Sequence, residues 1–390
     1  MTMRKILYLM AFAVLYISTC ITANAQQSNL RTAYFLDGYT YRYKFNPSFA
    51  PERSFIAIPS IGNISVGAES NLGLSNFFFP TDDGELSVFF DNAISEEQFM
   101  KGIKNRNLLN INANVDVLAF GFRTGKSYHT VDISVKLNER AHLPKSLFQF
   151  AKFGTSGGNT SATISNIGLR TDIYTEIAYG YSRSIGEDLR VGGRVKILRG
   201  LAREDIMIEE LSLNAGRDIW DAKAEAYAEI SGPVAVGTIE GSDLVDYQDI
   251  TVPEKFNEIA SGMNSYGFAL DLGASYDFLD YFTASLSLLD VGFISWNNTT
   301  TAVSSNNSWK FDGFGTIKTD GTTDFGSQLS GFGEELLNMT QLEKAKDRQK
   351  TAKGLTATIH AGIEAKMPFY QRLAFGLLGY NCQKRLVKPV

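Results

Sequence analysis

The first candidate for chemistry is the stretch Phe120 to Ser134, FGFRTGKSYHTVDIS, which has Gly125, Lys126 and Ser127 at its middle. A phosphate-binding loop needs Gly-x-x-x-x-Gly-Lys-Ser/Thr between a strand and a helix, because the amides that start the helix must face the phosphates. The position five residues before Gly125 is Phe120, and an alternating strand pattern follows Ser127. The stretch therefore predicts a turn between two strands and not a nucleotide site.

A second candidate, Gly154-Thr155-Ser156-Gly157-Gly158, has the Gly-x-Ser-x-Gly spacing of a hydrolase nucleophile elbow. Such an elbow needs a strand before the serine and a helix after it. Here a predicted helix precedes the motif and a loop rich in Gly, Ser, Asn and Thr follows it. The nearest downstream histidine is His360. The motif is typical of a flexible loop, and we expect the protein not to be an enzyme.

The histidines His129, His142 and His360 are too scattered to show a metal-ligand pattern. We expect no metal ion, no cofactor and no catalytic residue. His360 lies on the polar face of a predicted strand, where it could face a lumen or simply be solvated.

Arg190, Arg194 and Lys196 are cations at even spacing, so they share one face of a predicted strand. With His360 they form our predicted substrate-binding set, because they could attract an anionic headgroup or carboxylate. The alternative, which we favour, is that the three cations pair with acids and fill a narrow interior. Candidate acids are Glu176, Glu225 and Glu229.

The N-terminus has the three parts of a secretory signal peptide: Arg4 and Lys5, an apolar run from Ile6 to Ile17, and Ala23-Asn24-Ala25. Its removal would change the formal net charge from −5 to −7, because it carries two positive charges. This acidic balance argues against a nucleic-acid partner. One cysteine, Cys382, would remain, so no internal disulfide is expected.

Alternation of apolar and polar residues recurs along the chain and predicts β-strands. From Val131 to Asn138 the odd positions are apolar and the even positions are polar. In the preceding strand the apolar phase slips after Val117, which predicts a bulge. We count about eleven strands of about 8 to 13 residues, close to the roughly 9 to 11 needed by a tilted membrane strand.

The connections between these strands alternate between short and long. The long segments are roughly 75–107, 139–170, 231–265 and 296–354, plus a connection of about six residues near Gly200 to Asp205. Short turns are predicted at 123–127, 184–188, 215–219, 278–281 and 367–371. This pattern, with aromatic residues beside the short turns, is typical of an outer-membrane barrel with short periplasmic turns and long outer loops.

Three parts of the long segments have helical features. Ser95 to Gln98 has a capping-box pattern. Pro144 to Phe153 has Pro early and Gly154 just past its end. Glu334 to Lys353 could form a longer, charged helix. On a barrel, such helices would be lids, plug pieces or plain surface decoration.

Several stretches resemble a Bacteroidota outer-membrane barrel family known as a domain of unknown function. They are LRTAYFLDGYTYRYKFNPSFA, FGFRTGKSYHTVDISVKLNERAHLP, LRVGGRVKILRGLA and GFALDLGASYDFLDYFTASLSLLDVGFISW. More distantly, the chain is similar to the long-chain fatty-acid and aromatic-hydrocarbon transporter barrels. That resemblance implies about fourteen strands, an N-terminal plug and a path for a hydrophobic ligand. Related barrels serve as partners of protein-secretion machinery.

The sequence thus predicts an all-β protein, a transmembrane antiparallel β-barrel of the cell outer membrane with short helices in its outer loops. Residues 1–25 would be the signal peptide, 26–53 a periplasmic plug segment, 54–380 the barrel and 381–390 an atypical tail. The tail lacks alternation and a terminal aromatic residue, so we expect a C-terminally incomplete barrel.

Three hypotheses for function remain open. The first is a non-catalytic barrel in outer-membrane lipid that binds or passes a hydrophobic small molecule. The second is a structural barrel that docks a secretion-system protein. The third is a secreted, soluble β-sandwich binding protein.

Overall fold

The computed structural model describes residues 32–51, 53–58, 64–80, 86–88, 94–153, 161–215, 220–251, 264–278, 281–304, 308–311, 342–367 and 370–382. Among them, 13 strands form one sheet, and two further strand pairs stand apart from it. Every pairing between these strands is antiparallel. The predicted all-β class is confirmed. The signal peptide and the Gly154 to Gly158 motif lie outside the described residues.

The strands are β1 Phe55–Ala57, β2 Ile64–Ser70, β3 Phe78–Pro80, β4 Leu86–Val88, β5 Arg106–Thr124, β6 Ser127–Pro144, β7 Ser161–Ile185, β8 Leu189–Ala215, β9 Trp220–Ser231, β10 Ala235–Thr238, β11 Val245–Thr251, β12 Ser265–Phe278, β13 Phe282–Ser304, β14 Ser308–Phe311, β15 Leu342–Gly354, β16 Thr358–Met367 and β17 Tyr370–Cys382. The α-helices are α1 Glu96–Met100 and α2 Lys145–Phe153. Single 3₁₀ turns span Thr32–Phe35, Thr40–Lys44 and Leu74–Asn76.

In the main sheet, some pairs of strands lie end to end beside the same neighbouring strand. β12 pairs with the first half of β8 and β9 with the second half, and both also pair with β13. On its other side, β13 pairs with β16 along its first half and with β15 along its second half. When such strands are combined, the order is β1/β2, β5, β6, β7, β8, β12/β9, β13/β14, β16/β15 and β17.

The hairpin at Gly125 is formed as predicted. Thr124 and Ser127 are partners across the turn, and Gly125 has φ of 59°, a left-handed conformation that glycine adopts without steric cost. The register between β5 and β6 shifts between Asp116 and Leu118, so the predicted bulge at Val117 is also confirmed. Because Lys126 lies in a strand-to-strand turn, its neighbourhood is not a phosphate loop.

Two predictions about the connections were wrong: the connection near Gly200 to Asp205, and the placement of the 215–219 turn at the same end of the sheet as the turn at Gly125. Gly200 to Asp205 is not a connection, since β8 is continuous over 27 residues beside the 25 residues of β7. A register shift between Ile173 and Tyr174 leaves Leu201 without a partner on β7, and this slip in alternation resembled a strand end. As a result, the connection after Ala215 lies at the opposite end of the sheet from the turn at Gly125.

The helix predicted for Glu334 to Lys353 was wrong over its second half. Leu342–Gly354 forms β15 and pairs with β13, and Leu342 is buried against Ala302 and Val245. Backbone pairing to an available strand overrode the helical propensity of a Lys- and Glu-rich stretch. Residues 334–341 lie outside the described part of the chain.

The other two helices are confirmed, and they pack together. Ser95 and Gln98 form a capping box before α1, with reciprocal bonds of 3.3 and 3.0 Å. Phe99 of α1 and Phe148 of α2 share an apolar cluster. Two of the long segments are therefore joined by a small core of their own.

The two faces of the main sheet have an inverted polarity. On β8, Val195 and Ile197 are 45% and 61% exposed, whereas the alternate residues Arg194 and Lys196 are 3% and 2% exposed. Other exposed apolar residues on neighbouring strands are Ile177, Tyr179, Phe268, Leu272, Leu286, Phe293, Ile359 and Leu377. Buried polar residues on the opposite face include Asp132, Ser134, Glu176, Asp271, Ser287, His360 and Glu364.

The N-terminal segment, residues 32–51, covers this polar face. Lys44 contacts Asp116 of β5 at 2.5 Å, near one end of the strand order. Phe35 lies so close to Gly376 of β17 that a Cβ there would be 2.5 Å from its ring. Because one segment of 20 residues touches both ends of the strand order, the sheet curves around it.

Candidate functional site

Arg194 lies at the centre of the polar face and contacts three carboxylates. Its Nη2 donates to both oxygens of Asp132, at 2.8 and 2.9 Å, and its Nη1 donates to Asp271 at 3.2 Å. Glu176 is 3.5 Å from Nη2. These residues lie on β6, β7 and β12, the strands around β8.

Lys196 extends the same network by one step along β8. Its Nζ is 2.6 Å from Asp290, 2.7 Å from Asp271 and 3.7 Å from Glu176. Lys136 of β6 reaches Glu176 at 2.6 Å. We call this set the central ion network: Asp132, Lys136, Glu176, Arg194, Lys196, Asp271 and Asp290.

The central ion network corresponds to the second of the two interpretations of the cations. Arg194 and Lys196 pair with Glu176, one of the three candidate acids, and both terminal nitrogens of Arg194 face carboxylates. A guanidinium whose two terminal nitrogens already donate to carboxylates has no pair of free N–H groups for an incoming anion. The network therefore joins strands together and does not present these two cations to a ligand.

The other two candidate acids lie elsewhere. Glu229 belongs to a separate cluster near the far half of β8, where it is 2.9 Å from Lys353 and 3.9 Å from Arg203. Glu225 pairs with Lys223 on an exposed surface. The sequence pattern placed both on a polar face but did not show how far along the sheet they lie.

Arg203 is a further buried cation, and the sequence pattern did not single it out. It pairs with Asp172 and with Asp205, the latter at 2.8 Å, while Arg170 reaches Asp205 at 2.6 Å. Between this cluster and the central ion network is a cavity of about 40 Å³, partly lined by Trp296. It has room for a water molecule but not for a substrate.

His360 is buried and contacts the N-terminal segment. Its Nδ1 donates to the Phe45 carbonyl oxygen at 3.1 Å, and Ser287 donates to the same oxygen at 2.7 Å. The ring also stands edge-on to Tyr34 at 5.7 Å. His360, one of the predicted binding residues, therefore holds the N-terminal segment in place.

The N-terminal segment is fixed by buried side chains along its length. Asn46 is fully buried and donates to the carbonyl oxygens of Ala274 and Leu286, at 3.3 and 3.2 Å. Tyr34 is within 2.9 Å of Ser285 Oγ. The Tyr43 ring lies 5.4 Å from the Arg194 guanidinium, so the segment also touches the central ion network.

Burial raises the pKa of the Tyr34 phenol, and it raises that of Tyr43 well above its ordinary value. Both phenols are therefore neutral at physiological pH. For Asp37, burial acts to raise the pKa, but Lys366 and Arg42 outweigh it, so the pKa is lowered. Lys366 is 2.9 Å from this carboxylate.

Two glycines allow the segment to approach the strands closely. At Gly192 a Cβ would be 2.2 Å from the Pro47 carbonyl oxygen, and at Gly273 it would be 2.1 Å from the Asn46 side chain. A glycine inside a strand often marks such an approach of another backbone. This signal in β8 and β12 could have located the segment from the sequence.

Arg190 is separated from the other predicted residues and lies at the short-turn end of β8. Its Nη2 donates to Ser184 at 2.9 Å. It lines an open cleft of about 310 Å³ together with Arg123 and parts of the N-terminal segment. The structure therefore brings together Arg194 and Lys196, and places Arg190 in a different setting.

A comparison with known families adds one decisive observation. The family model described as "Family of unknown function (DUF5723)" matches residues 47–387. The chain belongs to this family. No curated protein and no solved structure matches the chain.

The matched range includes the whole central ion network and the strand side of the cleft, but not Asp37, Tyr39 and Arg42. It contains every strand from β1 to β17, whereas Tyr34, Tyr43 and Asn46 precede it. Within the described ranges, no group of three or more His, Cys, Asp or Glu residues could hold a metal ion. No helix in the described part of the chain is long and apolar enough to cross a membrane.

Proposed function

We propose that this DUF5723 protein is a non-catalytic β-barrel of the outer membrane, with its interior filled by its own N-terminal segment. One observation carries the proposal: Val195 and Ile197 are exposed while Arg194 and Lys196, between and beside them, are buried. A soluble sheet has the opposite distribution, because exposed apolar side chains lose the free energy of burial. In a bilayer the apolar face meets lipid and the polar face meets the lumen.

Strand length supports the same proposal. In the half of the sheet that contains the short turns, β12 and β16 have 14 and 10 residues. A tilted membrane strand needs about 9 to 11 residues. The half of the sheet with the turn at Gly125 thus has the dimensions of a membrane-spanning band.

The contents of the interior bear on what such a barrel would carry. The described interior is occupied by the N-terminal segment and by buried ion pairs. An open path for a hydrophobic molecule would require the segment, held through Asn46 and Tyr34, to move. We therefore favour a closed interior over passage of a hydrophobic molecule. Such a molecule would bind only after the segment has moved.

Docking of a protein partner is a second candidate, and strand length favours it. β7, β8 and β13 have 25, 27 and 23 residues, more than twice the length of a membrane span. Their far halves, with β9 and β15, would form a sheet that projects beyond the bilayer. Such a platform offers backbone and side-chain surface to a secretion-system protein.

Membrane fractionation of the full chain in its native host tests the membrane proposal. We expect recovery in the outer-membrane fraction, resistance to carbonate extraction and faster electrophoretic migration when the sample is not boiled. A protein found wholly in the soluble fraction, with migration unaffected by boiling, would instead establish the soluble sandwich.

Two measurements on gently purified protein separate the candidate roles. Extraction and mass spectrometry of bound lipids would reveal a hydrophobic cargo. Crosslinking in cells through the far halves of β7 and β8, followed by pulldown, would reveal a docked protein. Bound fatty acids without a crosslinked partner would favour cargo binding over docking.

A further inference from the structure

The cleft at the short-turn end is lined by two arginines, and the carboxylate of Asp277 acts on Arg190 there without forming an ion pair. Neither Arg123 nor Arg190 has an ion pair with any described residue. Arg123 donates to the Pro51 carbonyl oxygen at 3.1 Å, and Arg190 donates to Ser184 at 2.9 Å. Their charges are close enough to repel one another. Each guanidinium has five donors, so most of them stay unused.

Two of the three described carboxylates of the cleft pair with its other cations. Asp37 pairs with Arg42 and Lys366, and Glu364 is 3.6 Å from Arg42. Asp277 accepts from Thr283 at 2.6 Å. The described residues that line the cleft thus include four cations and three carboxylates, which leaves one positive charge in excess, on the side of Arg123 and Arg190.

We propose that this cleft binds a phosphate group, with Arg123 and Arg190 as its two ligands. Two planar guanidiniums match the charge and the oxygen spacing of a phosphate better than those of a single carboxylate. The volume of about 310 Å³ falls at the lower end of small-molecule sites. The phosphate would come from a free phosphate ester or from a phospholipid headgroup.

The wall of the cleft links the ligand to the N-terminal segment. Ser48, Phe49, Ala50 and Pro51 line the same space, and Arg123 already holds the Pro51 carbonyl. A bound phosphate would lie between the strands and this segment. Binding should thus protect the segment from proteolysis.

Isothermal titration of the purified full chain with inorganic phosphate tests the proposal. We expect binding that weakens with added salt and falls at least tenfold in Arg190→Gln and in Arg123→Gln. The matched control is Lys126→Gln, which removes a cation from the adjacent turn but does not line the cleft. It should bind like the wild type. Unboiled electrophoretic migration would verify that each variant is folded.

Competition with soluble dihexanoylphosphatidylglycerol identifies the source of the phosphate. Displacement of inorganic phosphate by this lipid would assign a headgroup, and failure to displace would assign a free phosphate ester. The absence of phosphate binding by the wild-type protein overturns the proposal. Equal binding by folded wild type and Arg190→Gln overturns it as well.

Discussion

The Arg194 guanidinium on β8 reaches Asp132 on β6 by crossing over the strand between them. The residue it crosses is Gly180 of β7, which is the register partner of both Arg194 and Thr130. A Cβ at Gly180 would be 2.3 Å from Thr130 Oγ1 and 2.9 Å from Arg194 Cγ. One missing side chain thus lets an ion pair connect strands that are not hydrogen-bonded to each other.

Replacing Arg194 with methionine should destabilise the folded protein strongly. Asp132 would lose its two-point contact with the guanidinium and Asp271 one of its two cations, and removing one partner of a buried pair costs about 3–5 kcal/mol. The measurement is the temperature at which the unboiled electrophoretic form is lost. Lys223→Met is the control, because its ion pair with Glu225 is exposed, and it should leave that temperature unchanged. Equal effects of both variants would contradict a structural role of the network.

Gly180→Ala should destabilise by about 1–3 kcal/mol, because the methyl group would force Arg194 or Thr130 from its position. Denaturant unfolding followed by tryptophan fluorescence would report the loss. Gly168→Ala, on the same strand, is the control, since the nearest atoms to its added Cβ are at 3.8 and 3.9 Å. If the two alanine variants unfold at the same denaturant concentration, the crossing does not require glycine.

Ile197→Arg should impair membrane insertion. Ile197 is 61% exposed on the apolar face, where a lipid-facing arginine costs about 2–4 kcal/mol near the bilayer centre. The yield of folded protein in lipid vesicles is the measurement, and Ile197→Leu should match the wild type. Improved solubility with unchanged stability in Ile197→Arg would indicate that this face meets water.

Asp37→Asn should change the acid dependence of stability. Because the pKa of Asp37 is lower in the folded state, its ionised form stabilises that state above its unfolded pKa, near 4. That contribution is lost as the pH falls through the folded pKa. The difference in thermal midpoint between wild type and variant should therefore be largest at neutral pH and should shrink below about pH 4. A difference that grows on acidification would contradict this sign.

Local features of the fold could be predicted from the sequence, because they depend on neighbouring residues. The turn at Gly125, the bulge at Val117 and the capping box at Ser95 each follow from a few adjacent side chains. The shared face of Arg194 and Lys196 likewise follows from the period of two. Their pairing with Glu176 was one of two interpretations left open.

Features that depend on distant strands could not be predicted. Asp271 and Asp290 reach Lys196 only because β12 and β13 complete the sheet beside β8. The strand β15 forms because an edge of β13 is available to it, which its own Lys- and Glu-rich sequence does not indicate. Arg190 shares a strand face with Arg194 but lies in the cleft, because distance along the strand separates their surroundings.

The contact between Phe45 and His360 joins residues 315 positions apart. The N-terminal segment is synthesised before the strands that hold it, so its binding site does not exist until β16 has been made. Contacts of such long sequence separation form late in folding, since the closure of a large loop must come first. The N-terminal segment, the first part of the described chain, is thus the last to pack into the fold. A partly formed sheet would therefore leave its charged face uncovered until the segment binds.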